Sequence, residues 1–228
     1  MSKLYFRHGA MNSGKSTALL QAAYNYEERG QQVLLAKPQI DTKGDSLIVS
    51  RLGVSRAVDF TISPTDDIYA AFNAERSRVL HQTGLDVSCL LLDEAQFLTE
   101  GQVDDLLRIA ILEEIPVLAY GIRTDFQTVA FPGSRRLLEI AHSLEELKTI
   151  CRCGRKAMFN ARRVGDRYVF DGDQVAIDTS TEPTTSQAVS YESLCGACYL
   201  EESGGVLNSG WRPKVEFSYT GGPDADFT

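Results

Sequence analysis

The sequence predicts an α/β fold, a mostly parallel sheet with flanking helices, followed by a small C-terminal β module. Three observations carry this expectation. Strand-like and helix-like patterns alternate through residue 150, as they do in parallel sheets covered on both faces. The first alternation encloses a glycine-rich loop between a strand and a helix. Beyond Lys148 the helical periodicity stops, and close pairs of cysteines arrive among short strand-like runs.

Taken in order, residues 3–9 form an apolar-leaning strand that runs into the glycine-rich loop. From Lys15 to Arg29 the spacing is helical, with Ala18, Leu19, Ala22, Ala23 and Tyr26 along one face and Gly30 as C-cap. Val33 to Ala36 is the second strand and closes a βαβ unit. Residues 37–65, interrupted by Pro38, Gly44, Gly53 and Pro64, read as a loop with one or two short strands. Asp66 to Gln82 is helical, and Val87 to Leu92 is a buried strand ending at Asp93. Thr99 and Gln102 have the spacing of a capping box, opening a helix that runs to about Glu114. Pro116 to Tyr120 is another strand and Ser134 to His142 another helix. Further on, Ala157 to Val164 and Tyr168 to Phe170 read as strands, and the Thr- and Ser-rich stretch Asp178 to Ser190 as a mobile loop. From Gly204 onward the composition is Gly, Ser and Pro with scattered aromatics, that of a poorly ordered tail. The expected units are therefore 1–148 for the α/β domain, 149–202 for the cysteine module and 203–228 for the tail.

The 228 residues are 43% hydrophobic and 24% charged, an ordinary soluble composition. No apolar run reaches the ~18 residues of a membrane span, and the N-terminus lacks a signal-peptide core. A cytoplasmic protein without a membrane partner is expected. The formal net charge of −8 weighs against general binding to nucleic acid. It leaves room for a small anion in a locally positive pocket.

Gly9-Ala10-Met11-Asn12-Ser13-Gly14-Lys15-Ser16 fits the phosphate-loop pattern G-x-x-x-x-G-K-[ST]. Glycines let the backbone N–H groups face phosphates, the lysine adds positive charge, and the Ser16 hydroxyl is a ligand for Mg²⁺. The following helix directs its positive end at the same anion. An ordinary glycine-rich turn is the plainer alternative, but the placement between strand and helix favours a P-loop NTPase-like fold that binds a nucleoside triphosphate. Such a loop needs an acidic partner at a buried strand end. Asp93 meets that need as the Mg²⁺-side carboxylate, or else merely caps the next turn. Glu94 beside it is positioned to take a proton from an attacking oxygen. That oxygen belongs to water in a motor-type ATPase and to a substrate hydroxyl in a small-molecule kinase. The small chain, without a basic groove, favours the kinase.

Cys151-x-Cys153 and Cys195-x-x-Cys198 offer four thiolates, the set a tetrahedral structural Zn²⁺ requires. Gly154 permits the sharp turn after the first pair. Unpaired or redox thiols are the alternative. Cys89 reads as a small core residue.

The ordered set Ala-Met-Asn-Ser-Gly-Lys-Ser-Thr, Asp-Glu-Ala-Gln-Phe (93–97), Tyr-Gly-Ile-Arg-Thr-Asp-Phe-Gln (120–127) and the cysteine quartet resembles the type II thymidine kinases, the zinc-containing family that includes the bacterial enzymes. The resemblance covers roughly residues 2–202. It implies transfer of the γ-phosphate of ATP to the 5′-hydroxyl of thymidine, with Glu94 as general base and Asp93 as Mg²⁺ partner. It also implies nucleotide contacts across Gly9 to Ser16 and Asp93 to Gln96, including Ala95. Met11, Phe97, Ile122, Phe126, Phe131 and Tyr191 match positions that contact the nucleoside. The loop between the cysteine pairs resembles the family's lasso, which closes over the base, and a homotetramer with dTTP feedback is implied. Arg123 and Asp125 read equally well as a surface ion pair, and Lys43 and Arg51 lie in a segment that reaches toward the nucleotide in the family. Two departures stand out. Ile177-Asp178-Thr179 replaces the usual Ile-Gly-Gly of the lasso, and Arg7 and His8 add charge to the first strand. Arg7 is expected to be an exposed structural residue, or else a phosphate or interface contact.

Overall fold

The computed structural model describes residues 2–39, 46–172, 174, 189–205 and 207. Strand β1 (Leu4–His8) leads through the glycine-rich loop into α1 (Lys15–Glu27) and β2 (Gln32–Pro38). A hairpin of β3 (Leu47–Val49) and β4 (Ser55–Ala57) precedes β5 (Phe60–Ile62), α2 (Ile68–Thr83) and β6 (Val87–Leu92). A 3₁₀ turn (Ala95–Phe97), α3 (Glu100–Leu112), β7 (Val117–Gly121), α4 (Pro132–Ile140) and β8 (Ser143–Glu146) follow. Six of these strands form one sheet in the order β5-β2-β6-β7-β1-β8, and every pairing is parallel.

Period-two alternation divides the strand residues between two cores. Phe6, Leu34, Leu90, Leu92 and Ala119 face α2, α3 and α4, where they meet Phe72, Leu106, Ile109 and Leu137. Leu35, Cys89, Leu91, Leu118 and Tyr120 face α1, packing on Leu19, Leu20 and Ala23. Each fully buried Leu or Phe contributes roughly 1.5–3 kcal/mol relative to exposure. A one-residue slip of β6 or β7 would exchange one core's side chains for the other's, so the register is strongly specified. All six strands end on the same edge, and the loops that follow them form one rim.

Three elements differ from the expected pattern. Residues 37–65 hold three short strands among their described residues, and β5 extends the main sheet. The fourth helix ends at Ile140, and Ser143–Glu146 becomes the outermost strand β8. Its sequence Ser-Leu-Glu-Glu alternates half-buried and exposed residues; edge strands are commonly charged in this way, and no apolar run announces it. Arg7 is half-buried rather than exposed. Its Nε donates to Glu145 at 2.7 Å and its Nη1 to the Tyr120 hydroxyl at 2.7 Å. Both partners lie level with Arg7 on the adjoining strands, so the arginine ties β8 and β7 to β1.

The second part contains the hairpin β9 (Thr149–Ile150) and β10 (Lys156–Ala157), then β11 (Phe159–Val164), β12 (Arg167–Val169), β13 (Val189–Leu194) and α5 (Gly196–Glu202). The antiparallel order is β12-β11-β13. Ala157, Ala161, Leu194, Tyr199 and three of the cysteines form a third buried cluster. Helical structure does return here, in an α5 of seven residues, too short to show periodicity. Val189 and Ser190, expected in the loop, belong to β13. The rest of that expected loop, residues 178–188, and most of the expected tail, residue 206 and everything from 208 on, lie outside the described residues. Among the described residues no helix is long and apolar enough to cross a membrane.

The capping box at α3 is formed. Thr99 Oγ1 accepts from the Gln102 amide at 3.2 Å, and Gln102 Oε1 accepts from the Thr99 amide at 3.1 Å. Gln102 Nε2 also donates to the carbonyls of Ser63 (2.8 Å) and Asp66 (3.1 Å), binding α3 to the entry of α2. Thr99→Ala is expected to cost about 1 kcal/mol, a fall in Tm of about 2–4 °C for a domain of this size. Gln102→Ala leaves two carbonyls and an amide short of a partner and should lower Tm further. Thermal melts followed by circular dichroism check the order.

Candidate active site

β1 delivers the chain to Gly9, where a side chain would collide with Ser13 Oγ and the Leu147 carbonyl. Asn12 and Gly14 take left-handed φ values of 66° and 77°, and the loop folds back so that the Ser13 amide donates to the Ala10 carbonyl at 3.3 Å. Such alternation of backbone hands makes a concavity for anions. Lys15 opens α1 with its Nζ turned back into the loop, 2.9 Å from the Ala10 carbonyl and 3.3 Å from that of Gly9. Burial lowers the Lys15 pKa, while Glu94 and Asp93 pull it the other way. No side chain caps α1, and its first turn carries no acid. Its unpaired N–H groups are therefore available to an anion.

The second motif meets the first directly. Ser16 Oγ donates to Asp93 Oδ2 at 3.0 Å. Asp93 is 5% exposed, and burial, with the charge of Glu94 second, raises its carboxyl pKa. A hydroxyl and a buried carboxylate with a second carboxylate beside them form an oxygen donor set of excess negative charge, which fits Mg²⁺. Glu94 has φ 53°, a left-handed backbone that costs about 1–3 kcal/mol in a non-glycine residue. Two bonds hold it there. Its amide donates to Asp93 Oδ1 at 3.0 Å, and its Oε2 accepts from Gln96 Nε2. Gln96 is buried and its Oε1 accepts from the Ile122 amide at 3.2 Å, so one side chain fixes Glu94 against the end of β7. Ala95 sits in the core below.

Aromatic residues border the same rim. Phe97 and Phe131 meet edge to face at 5.4 Å and 75° beside a 500 Å³ cleft that Gln96, Leu98, Thr99 and Gln174 also line, a volume suited to one small molecule. Ile122 and Phe126 are buried in the loop after β7, where Ser134 Oγ donates to the Ile122 carbonyl at 2.6 Å. The Arg162 guanidinium lies 3.6 Å over the Phe126 ring. Met11 is partly buried. Tyr191, also partly buried, stands opposite Arg162 in the β11–β13 register, so the two share a face. Asp125 is not half of a surface ion pair. It is buried, and its Oδ1 accepts from the amides of Gln127 and Val129, each at 2.8 Å, shaping the loop. Arg51 is exposed at the β3–β4 turn, yet its charge reaches Lys15 and lowers the lysine's pKa. Lys43, Ile177, Asp178 and Thr179 lie outside the described residues.

Cys151, Cys153, Cys195 and Cys198 gather with all four Sγ atoms within 4.8 Å of one another. Cys153 and Cys195 Sγ are 3.6 Å apart, far beyond the ~2.05 Å of a disulfide. A tetrahedron with Zn–S of about 2.3 Å sets its sulfurs about 3.8 Å apart, so the quartet fits zinc. The Gly154 φ of 85° turns the chain back. The Arg155 amide then lowers the Cys153 thiol pKa, with the neighbouring thiols adding to it. Burial raises that of Cys198.

Asn160 and Ser193, like Arg162 and Gln174, are site residues with no place in the sequence expectations. Asn160 Oδ1 accepts from the Met11 amide at 2.7 Å, and Ser193 Oγ donates to the Met11 carbonyl. A signal for Asn160 was present, a polar residue inside the strand run Ala157 to Val164, whose flanking Phe159 and Ala161 pack into the module's own cluster.

The sequence profile described as thymidine kinase matches residues 2–199. A thymidine kinase of Legionella pneumophila (strain Lens) is 49% identical over 179 residues, 78% of this chain and 83% of the relative. Those of Chromobacterium violaceum and Mesorhizobium japonicum are 43% and 46% identical, covering 87% and 90% of this chain and 98% and 94% of theirs. The matched stretch contains the phosphate loop, both carboxylates and the whole cysteine quartet. The chain belongs to the thymidine kinase family.

Proposed function

We propose that this protein transfers the γ-phosphoryl group of ATP to the 5′-hydroxyl of thymidine, giving dTMP and ADP. The observation that carries the reading is the meeting of Ser16, Asp93 and the Gln96-held Glu94 beside an aromatic cleft, in a member of this family. The amides of Gly9 to Ser16 and the Lys15 ammonium hold the phosphates. Ser16 and Asp93 are the residues that would hold Mg²⁺, which when bound neutralises charge on the β- and γ-phosphates. Glu94 accepts the proton of the 5′-hydroxyl as its oxygen bonds to the γ-phosphorus. The bond from that phosphorus to the β–γ bridging oxygen breaks, and its electron pair leaves with ADP. Gln96 keeps Glu94 aimed. Met11, Phe97, Ile122, Phe126, Phe131 and Tyr191 form the nucleoside pocket, in which apolar walls suit a flat pyrimidine and exclude water from the transfer.

The finer parts of the reading rest on the resemblance and on composition. Residues 1–148 act as the nucleotide-binding domain, 149–202 as the zinc and lasso domain, and 203–228 as a tail. The protein is a cytoplasmic homotetramer that does not bind nucleic acid.

A coupled ADP-release assay across thymidine, deoxyuridine and purine deoxynucleosides tests the function. Thymidine is expected to give the highest kcat/KM, and equal or better turnover of a purine deoxynucleoside overturns the reading. Glu94→Gln should lower kcat by about 10²-fold or more while an ATP analogue still binds. A near-normal kcat in that variant refutes the general-base role. Native protein should carry one zinc ion per chain by elemental analysis, and Cys151→Ser should lose it and open residues 149–202 to limited proteolysis. Zinc-free native protein of full activity would remove the metal from the account.

A further inference from the structure

Met11 of the phosphate loop is gripped through both of its backbone groups by one pair of strands. Its N–H donates to Asn160 Oδ1 at 2.7 Å, and its carbonyl accepts from Ser193 Oγ. Asn160 on β11 and Ser193 on β13 are direct partners in the antiparallel register. Their side chains therefore leave the sheet side by side on one face. Both are buried, at 2% and 6% exposure, and they lie 149 and 182 residues from Met11 along the chain.

The other half of the Asn160 amide reaches a different loop. Its Nδ2 donates to the Thr124 carbonyl at 2.8 Å, between Ile122 and Phe126. The Tyr199 hydroxyl donates to the Phe126 carbonyl at 2.7 Å, and Gln127 Nε2 donates to the Gly172 carbonyl at 2.6 Å. The loop after β7 is thus fastened to the cysteine module at several points. The buried Asn160 amide joins it to the middle of the phosphate loop, while at the base of both loops the Gly9 N–H donates to the Gly121 carbonyl at 3.3 Å.

From this geometry we infer that Asn160 and Ser193 are positioning residues that couple the two substrate sites. The inference rests on the reading above that the loop after β7 borders the nucleoside. Asn160 makes one short bond to each of the two loops, and its burial shuts it off from bulk solvent. If a bound nucleoside shifts the Thr124 carbonyl, either Met11 follows or a buried polar group loses its partner, which is unfavourable. The two loops therefore move together, and Ser193 keeps the Met11 peptide from turning instead. Binding at one site changes affinity at the other, and linkage makes the effect reciprocal.

Calorimetry on the full, zinc-loaded chain tests this. The affinity of a non-hydrolysable ATP analogue is measured with and without a saturating deoxynucleoside, chosen as the one the protein is found to phosphorylate. Native protein should show a change of about fivefold or more, and the analogue should change nucleoside affinity by the same factor. Asn160→Ala and Ser193→Ala should bring the factor close to one. Asn160→Asp keeps the acceptor for Met11 and loses the donor to Thr124, so it should also uncouple the sites while holding the analogue more tightly than Asn160→Ala. Ser193→Ala deletes a single hydroxyl and carries the test if Asn160→Ala fails to fold. Absence of coupling in native protein, or a native coupling factor in zinc-loaded variants, overturns the inference. Because the nucleoside is chosen by assay, failure of thymidine as substrate counts against the proposed function alone.

Discussion

The hydrogen bond from Ser16 Oγ to Asp93 Oδ2, 3.0 Å long, joins the first turn of α1, the helix that follows β1, to the end of β6, and β1 and β6 are not neighbours, since β7 lies between them. Such a bond requires parallel strands of matched depth, so that the loop after β1 and the acid after β6 emerge on one rim. It also requires Asp93 to be buried, which raises its pKa. The strain follows from the same place. Glu94 must leave the strand end in a left-handed conformation to bring its carboxylate onto the rim, and Gln96 holds it there from below. The phosphate loop, the paired acids and the start of the aromatic cleft are consequences of how this sheet ends.

The cysteine module completes the rim from outside the sheet. Its buried cluster is small, and three of its core residues are cysteines, so a metal bound by the quartet would supply folding energy that apolar burial alone does not. The module is nevertheless closely bound to the α/β unit. Asn160, Ser193 and Tyr199 each bond backbone groups of Met11, Thr124 or Phe126. Backbone bonding fixes the loop positions, and the Phe126 side chain is buried beneath the Arg162 guanidinium.

Much of this was legible in the residues. The phosphate loop, the acid at the end of β6 and the capping box at Thr99 are local patterns whose chemistry depends on a few neighbours in the chain. The buried strands announce themselves as apolar runs, because parallel strands are covered on both faces. β8 does not, because an edge strand with charged residues resembles a loop. Arg7 reads as an exposed charge until its partners on β7 and β8 are known. Asp125 reads as a surface acid until the turn it closes is seen. For β8 and Arg7 the missing information was a neighbouring strand; for Asp125 it was the turn that brings the Gln127 and Val129 amides onto its carboxylate.

The sequence by itself determined the fold class, the family-specific order of motifs, the two carboxylates and the four sulfurs, because each depends on residue type at short spacing. Only the tertiary structure decided that Gln96 links Glu94 to Ile122, that Arg162 covers Phe126, and that Asn160 and Ser193 grip Met11 from more than a hundred residues away. The reason is physical. A buried amide or hydroxyl is satisfied by whatever backbone group the packing brings within about 3 Å, and nothing in its local sequence specifies which group that is.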